Sequence, residues 1–364
     1  MPNRRNLLIG AGAAGLGTVL GFGGVLRAFS PGQPKALVND AGQPIAGSIS
    51  ERVFVKINSL RQGMIIQSAD IANPVLLFVH GGPGMPEFFL NTTHPTGLEH
   101  DFTVVWWEQR GAGLSYNPDI SPQSMTMAQM IADTVAVTDY LRQRFGKDKI
   151  YLLGHSWGSF LAIQVAAAAP QLYHAYIGVG QVSWQLRSEV AAHAYMLDQY
   201  RARGDAAMVR QLMAAPASLS GGLSDAYLRL RDGAMHGLGV GTTRDMRSVI
   251  MGVFVPVWRC RAYTLREKIN IWRGLAFSRG FLWQDFLDTD LTALITTLGL
   301  PLYLFTGIYD YTANHALARD YFDLIKAPVK GFYTFENSAH SPLFEEPLRA
   351  REILVQDVVT THRD

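Results

Sequence analysis

The sequence is poor in cysteine and in charge. Its 364 residues include one cysteine, Cys260. That excludes a disulfide within the chain and gives no support to a cysteine-based zinc site. Charged residues make up only 17%, and the formal net charge is +2. Nothing electrostatic therefore points to nucleic acid as a partner. Metal-ligand spacings are absent too, and neither a metal nor a cofactor is expected. Repeats and low-complexity runs are missing after residue 30. Acidic residues are missing at the start, since none precedes Asp40.

That last absence decides the first motif. Gly10-Ala-Gly12-Ala-Ala-Gly15 has the G-x-G-x-x-G form of a dinucleotide-binding loop. Such a loop needs a strand before it, a helix after it and an acidic residue roughly 20 positions later. Here the apolar lead is only Leu7-Leu8-Ile9, the following stretch is rich in glycine, and the acid is lacking. Glycine weakens a helix in water. A charged start, then an apolar Gly/Ala-rich run over residues 7–26, reads instead as an export signal or membrane anchor, set at residues 1–30. The run spans 20 residues, enough to cross a bilayer. Arg4 and Arg5 resemble a twin-arginine signal, without the usual Ser or Thr before the pair or Phe after it. The expectation is a protein exported, or anchored on the outer side of a bacterial cytoplasmic membrane; a cytoplasmic protein is the alternative.

What is present is material for a core, since 48% of residues are hydrophobic. "ERVFVKINS" and "GMIIQSAD" read as a hairpin. "NPVLLFVHGGPG", "FTVVWWEQRGAG", "KIYLLG" and "HAYIGVG" are apolar runs suited to strands buried on both faces. Residues 126–145 repeat apolar positions at three and four, an amphipathic helix stopped at Gly146. A second helix runs from Trp157 to about Ala169, ahead of Pro170. Residues 183–290 show only helical signals, among them the capping box Thr264-x-x-Glu267. "LPLYLFTG" and "KGFYTFEN" restore strands, and a helix from about Leu343 closes the chain. The expectation is an α/β fold with a mostly parallel, doubly wound sheet, in two parts (31–182 and 291–364) around an inserted helical cap (183–290).

The chemistry centres on Gly154-His155-Ser156-Trp157-Gly158, a G-x-S-x-G between a strand and a helix. A sharp turn there exposes the Ser156 hydroxyl at the strand's carboxyl end. A serine needs a base, and the base needs an orienting acid. Asp310 follows one later strand and His340 the next, in the chain order Ser, Asp, His. Catalytic candidates are thus Ser156, Asp310 and His340. His315 is expected on a helix surface, and His80 and His155 in structural roles. An oxyanion needs backbone donors; the amides of Trp157 and of Gly82 in "HGGPG" are the candidates, with Gly81 next.

"HGGPG", "WWEQRGAGLS", "GHSWGS", "GIYD" and "SAHSP" stand in the order and rough spacing of the proline iminopeptidase group of α/β-hydrolases, which the chain resembles over about residues 50–180 and 295–345. The resemblance implies the α/β-hydrolase fold with a helical cap, a serine hydrolase acting through an acyl-enzyme, and release of N-terminal residues such as proline. The usual Asp before Gln-Arg-Gly is Glu108 here, and the Trp-Glu cap pattern that holds a free α-amine is absent, Trp258 being followed by Arg259. The alternatives are an esterase, amidase or lactonase on a small acyl substrate, or a non-catalytic binding protein on the same fold. A peptidase needs a carboxylate for the substrate's α-ammonium. Glu189 and Glu267 are the cap's only glutamates, and Glu189 is the substrate-binding candidate. Trp184, Tyr195, Phe254, Trp258 and Trp283 are candidates for an apolar pocket lining.

Overall fold

The computed structural model describes residues 30–360. The G-x-G-x-x-G motif and the proposed signal segment lie outside the described residues. Among the described residues, no helix is long and apolar enough to cross a membrane.

Eight strands form one sheet. They are β1 (Ile49–Ile57), β2 (Leu60–Ser68), β3 (Val75–Val79), β4 (Thr103–Trp107), β5 (Ile150–His155), β6 (Tyr173–Val179), β9 (Leu302–Gly307) and β10 (Lys330–Phe335), in the spatial order β1-β2-β4-β3-β5-β6-β9-β10. β7 (Ala217–Ser218) and β8 (Gly222–Leu223) form a separate small hairpin. β1 and β2 are an antiparallel pair, and β2 joins β4 antiparallel. The remaining strands, from β4 across the sheet to β10, pair in parallel.

Parallel strands need covered faces, because each crossover lays a helix on the sheet. Alternation along β3 shows both faces covered. Leu77 and Val79 enter one apolar cluster with Leu152, Phe160 and Leu161; Leu76 and Phe78 enter the other with Trp106 and Leu153. The connecting helices include α1 (Met127–Phe145) and α2 (Trp157–Ala168). The Thr126 hydroxyl caps α1 by accepting from the Gln129 amide, and Gly146 ends it in the left-handed region at φ 61°.

Between β6 and β9 the chain leaves the sheet. It forms α3 (Gln185–Ala202), α4 (Ala206–Met213), the β7–β8 hairpin, α5 (Asp225–Leu238) and α6 (Leu265–Asp288). α3, α4, the hairpin and α5 share a core of their own around Met196, Tyr200, Leu212, Tyr227 and Met235, whereas α6 packs into the clusters that line the sheet, through Leu282 and Phe286 in one and Ile271 in the other. The neck of the excursion is tied: the Leu291 amide donates to the Ser183 carbonyl at 2.9 Å, and Trp184 Nε1 to the Leu287 carbonyl at 3.0 Å. The hairpin corrects the purely helical reading of this segment. Strands of two residues are too short for alternation to register in sequence. After β9 comes α7 (His315–Leu324). The closing helix is broken once, into Pro342–Glu345 and Pro347–Ile353, the second piece running on in wider π-helical turns over Leu354–Val359. Pro347 bars helical geometry at Glu346, which sits at φ −127°, ψ 59°.

Candidate active site

Ser156 lies at the turn from β5 into α2, with φ 57° and ψ −126°. A β-carbon-bearing residue reaches that region only under strain. The turn closes because its flanking glycines leave no bulk. A β-carbon on Gly154 would stand 2.5 Å from the Gly158 carbonyl oxygen, and one on Gly158 would stand 1.9 Å from that of Val79. The Ser156 amide donates to the Val179 carbonyl at 3.0 Å, fixing the turn against β6. Trp157 opens α2, so its amide has no intrahelical acceptor.

Asp310 follows β9 and is buried. Its Oδ1 accepts from the amides of Thr312 (2.8 Å) and Ala313 (2.9 Å), and its Oδ2 pairs with His340 Nδ1 at 2.8 Å. Burial alone would raise the Asp310 pKa; the His340 ring and these two amides outweigh burial and hold it below the usual carboxylate range. The carboxylate can only accept, so Nδ1 of His340 carries the hydrogen of that bond. Nε2 is buried and without a protein partner among the described residues. Glu345 holds the loop around it by accepting from the amides of Ala339 (3.0 Å) and Ser341 (3.2 Å). A β-carbon on Gly180 would meet the His340 ring at 2.9 Å. The histidine thus stands against the residue next to Val179, to which Ser156 is bonded. His315 is half-buried rather than on the helix surface, with Nε2 3.1 Å from Thr334 Oγ1.

The glycine loop after β3 faces Ser156: a β-carbon on Gly81 would lie 3.0 Å from that of Ser156. The Gly81 peptide is held on both sides. Its amide donates to Glu87 Oε1 at 3.1 Å, and its carbonyl accepts from His80 Nδ1 at 2.9 Å. His80 Nε2 in turn accepts from the Gln109 amide at 3.1 Å. Burial lowers the His80 pKa to about 4, so this ring is neutral. With the Gly81 amide occupied, Gly82 (φ 122°) offers the loop's next amide.

Gly82 and Ser156 line a cavity of about 140 Å³ together with Gln185, Leu228, Arg231, Asp232, Arg279, Trp283, Phe286 and Thr312. Its floor comes from the sheet and its roof from α3, α5 and α6. Glu189 is buried beneath that roof. It accepts from Arg231 Nε (2.7 Å), Tyr227 hydroxyl (2.8 Å) and Gln185 Nε2 (2.8 Å). Its charge is met within the cap. Arg231 passes the arrangement on, donating from Nη1 to Asp232 Oδ1 at 2.7 Å. Burial would raise the Asp232 pKa, but Arg231 outweighs it and keeps the carboxylate ionised. Glu267 closes its capping box with Thr264 and pairs with Arg52. Of the five aromatic candidates Trp283 lines the cavity; Tyr195 stacks on Tyr311 at 3.8 Å, and Phe254 packs on Trp258 and Trp272. The sequence reading missed Asp232, Arg231 and Arg279, because nothing in local periodicity says which cap helix faces the sheet.

A strand-turn-helix serine, an acid and a histidine after the last two parallel strands, and a cap inserted between strands define a class. The chain belongs to the α/β-hydrolase fold family, whose model matches residues 74–347. It is an aminopeptidase-like hydrolase. It is 32% identical over 306 residues to the probable aminopeptidase YbaC of Bacillus subtilis, covering 84% of this chain and 95% of that protein. It is 26% identical over 296 residues to a proline iminopeptidase of Lactobacillus delbrueckii subsp. lactis, covering 77% and 88%. Among solved structures, a proline iminopeptidase of Mycobacterium smegmatis matches at a TM-score of 0.63 with 19% identity, covering 85% of this chain and 98% of that one. A proline iminopeptidase-related protein of Thermus thermophilus matches at 0.61 with 19% identity, covering 86% and 98%. These structural likenesses speak to the fold.

Proposed function

We propose that the protein is a serine hydrolase that releases the N-terminal residue of short peptides through an acyl-enzyme. The observation that carries this reading is the His340 ring. Its Nδ1 is committed to Asp310 and its Nε2 has no partner among the described residues, and the ring packs against Gly180, next to the Val179 carbonyl that holds the positive-φ Ser156. In this reading His340 Nε2 takes the Ser156 proton as Oγ attacks the scissile carbonyl. The amides of Gly82 and Trp157 receive the oxyanion. His340 then returns the proton to the departing amine, leaving an ester on Ser156. Water, deprotonated by the same ring, cleaves that ester and frees the acid. No cofactor takes part in these steps.

The α-ammonium of the scissile residue needs an anion within reach when it leaves bulk water. Asp232 is the carboxylate on the cavity. Glu189 acts one step behind it, holding Arg231, which holds Asp232. Asp232→Asn tests this: kcat/KM for aminoacyl arylamides is expected to fall tenfold or more, about 1.4 kcal/mol, with neutral short-chain esters spared. Equal losses on both would move the reading to a general esterase. We also propose that residues 1–30 direct export or anchoring.

A further inference from the structure

His155, the first variable position of G-x-S-x-G, has no part in the chemistry above, yet it is buried with two strong contacts. Nδ1 lies 2.9 Å from Glu87 Oε2, and Nε2 lies 3.0 Å from the His340 carbonyl oxygen. The other oxygen of Glu87 accepts the Gly81 amide at 3.1 Å. Glu87 and His155 are 7% and 2% exposed. One continuous bridge therefore runs from the glycine loop to the catalytic-histidine loop: Gly81 amide, Glu87 carboxylate, His155 ring, His340 carbonyl. The rings of His155 and His340 are 5.1 Å apart.

The proton inventory of the bridge is constrained. A carbonyl only accepts, so Nε2 of His155 must carry a hydrogen. The second hydrogen lies between Nδ1 and a carboxylate. Burial opposes charging His155, but the Glu87 charge outweighs it and the pKa is raised. His80, a few residues before Glu87, is the contrast: it accepts an amide at one nitrogen and is neutral. Around His155 the charged or titratable groups are Glu87, His340 and, beyond it, Asp310.

We propose that Glu87 and His155 are positioning residues whose ion-paired bridge holds the oxyanion-donating loop and the His340 loop at a fixed mutual spacing, an inference that rests on the serine hydrolase reading above. Neither touches substrate. They act on two partners that must both meet one tetrahedral centre, so a loosened bridge harms the transition state and leaves substrate binding alone.

The test compares Glu87→Gln with Glu87→Asp in the full chain, beside His155→Ala and the double variant Glu87→Ala/His155→Ala. Gln keeps every contact: its carbonyl accepts from Gly81, and its amide donates to a neutral His155 that still donates to His340. Asp keeps the charge and loses the reach. Gln is expected within about threefold of wild-type kcat. Asp and His155→Ala are each expected to lose about a hundredfold, the scale of a lost oxyanion donor, with KM unchanged. The double variant is expected to be no worse than His155→Ala, because both break one bridge. Second-order labelling of Ser156 by a fluorophosphonate should fall in parallel with kcat. If Gln and Asp behave alike, or KM carries the loss, or losses follow thermal stability, the bridge is overturned. If wild-type Ser156 is not labelled at all, the hydrolase reading falls and takes the bridge with it.

Discussion

At the scale of single residues, removing the Ser156 hydroxyl removes only one oxygen from a turn whose shape is set by its neighbours. Ser156→Ala is expected to lower kcat by on the order of 10⁶ while thermal unfolding stays where it was; near-normal turnover by the folded variant would end the serine reading. A second residue matters for stability rather than chemistry. Glu108, where the resemblance leads one to expect Asp, is buried and accepts from the Tyr263 hydroxyl (2.6 Å) and from the Leu114 amide. Burial pushes its pKa from 4.5 to about 8. Between those values the folded chain keeps a proton that the unfolded chain has lost. Stability from this group is therefore complete below 4.5 and drains away as pH rises toward 8, by at most about 1.4 kcal/mol per unit. Glu108→Gln, neutral at every pH, should flatten that slope. Urea unfolding near pH 5 and near pH 8 reads it: the variant should gain on the wild type at the higher pH, and a constant gap would count against it.

Helices and strands pose a different question, that of close approach. Gly158 brings α2 against β3 so tightly that a methyl group would fall on the Val79 carbonyl. Gly158→Ala is expected to cost about 3 kcal/mol or more, visible as a lowered melting temperature or as insoluble protein. The same elements show what could be read in advance. Ser156, Asp310, His340 and the glycine loop each stand one step past an apolar run, and such runs announce themselves; the sheet and the order of its serine, acid and histidine were legible for that reason. The β7–β8 hairpin was not, since its strands are two residues each. Nor were Asp232 and the Glu87–His155 bridge. Glu87 and His155 are 68 positions apart and meet only because β3 and β5 lie side by side. Asp232 reaches the cavity only through the docking of α5, which no local pattern encodes.

For the whole molecule, the proposed export or anchor segment is the part a cell would act on. Replacing Arg4 and Arg5 together by lysine is expected to retain the protein in the cytoplasm of its host if the twin-arginine route is used; fractionation like that of the wild type would point to another route or to an anchor. The cap raises a question of assembly instead. α3, α4 and α5 pack on one another around Met196, Leu212 and Tyr227, while α6 returns to the apolar clusters of the sheet, and the entrance and exit are joined by the Ser183–Leu291 hydrogen bond. The part from α3 to α5, with its own apolar centre, is the exchangeable portion; α6 belongs to the body it covers. No strand of the sheet lies inside the excursion, but α6 shares the sheet's apolar packing and must stay with it. Exchanging the α3–α5 part for a relative's, with α6 left in place, is then expected to carry substrate preference from one protein to another while Ser156, Asp310 and His340 stay behind.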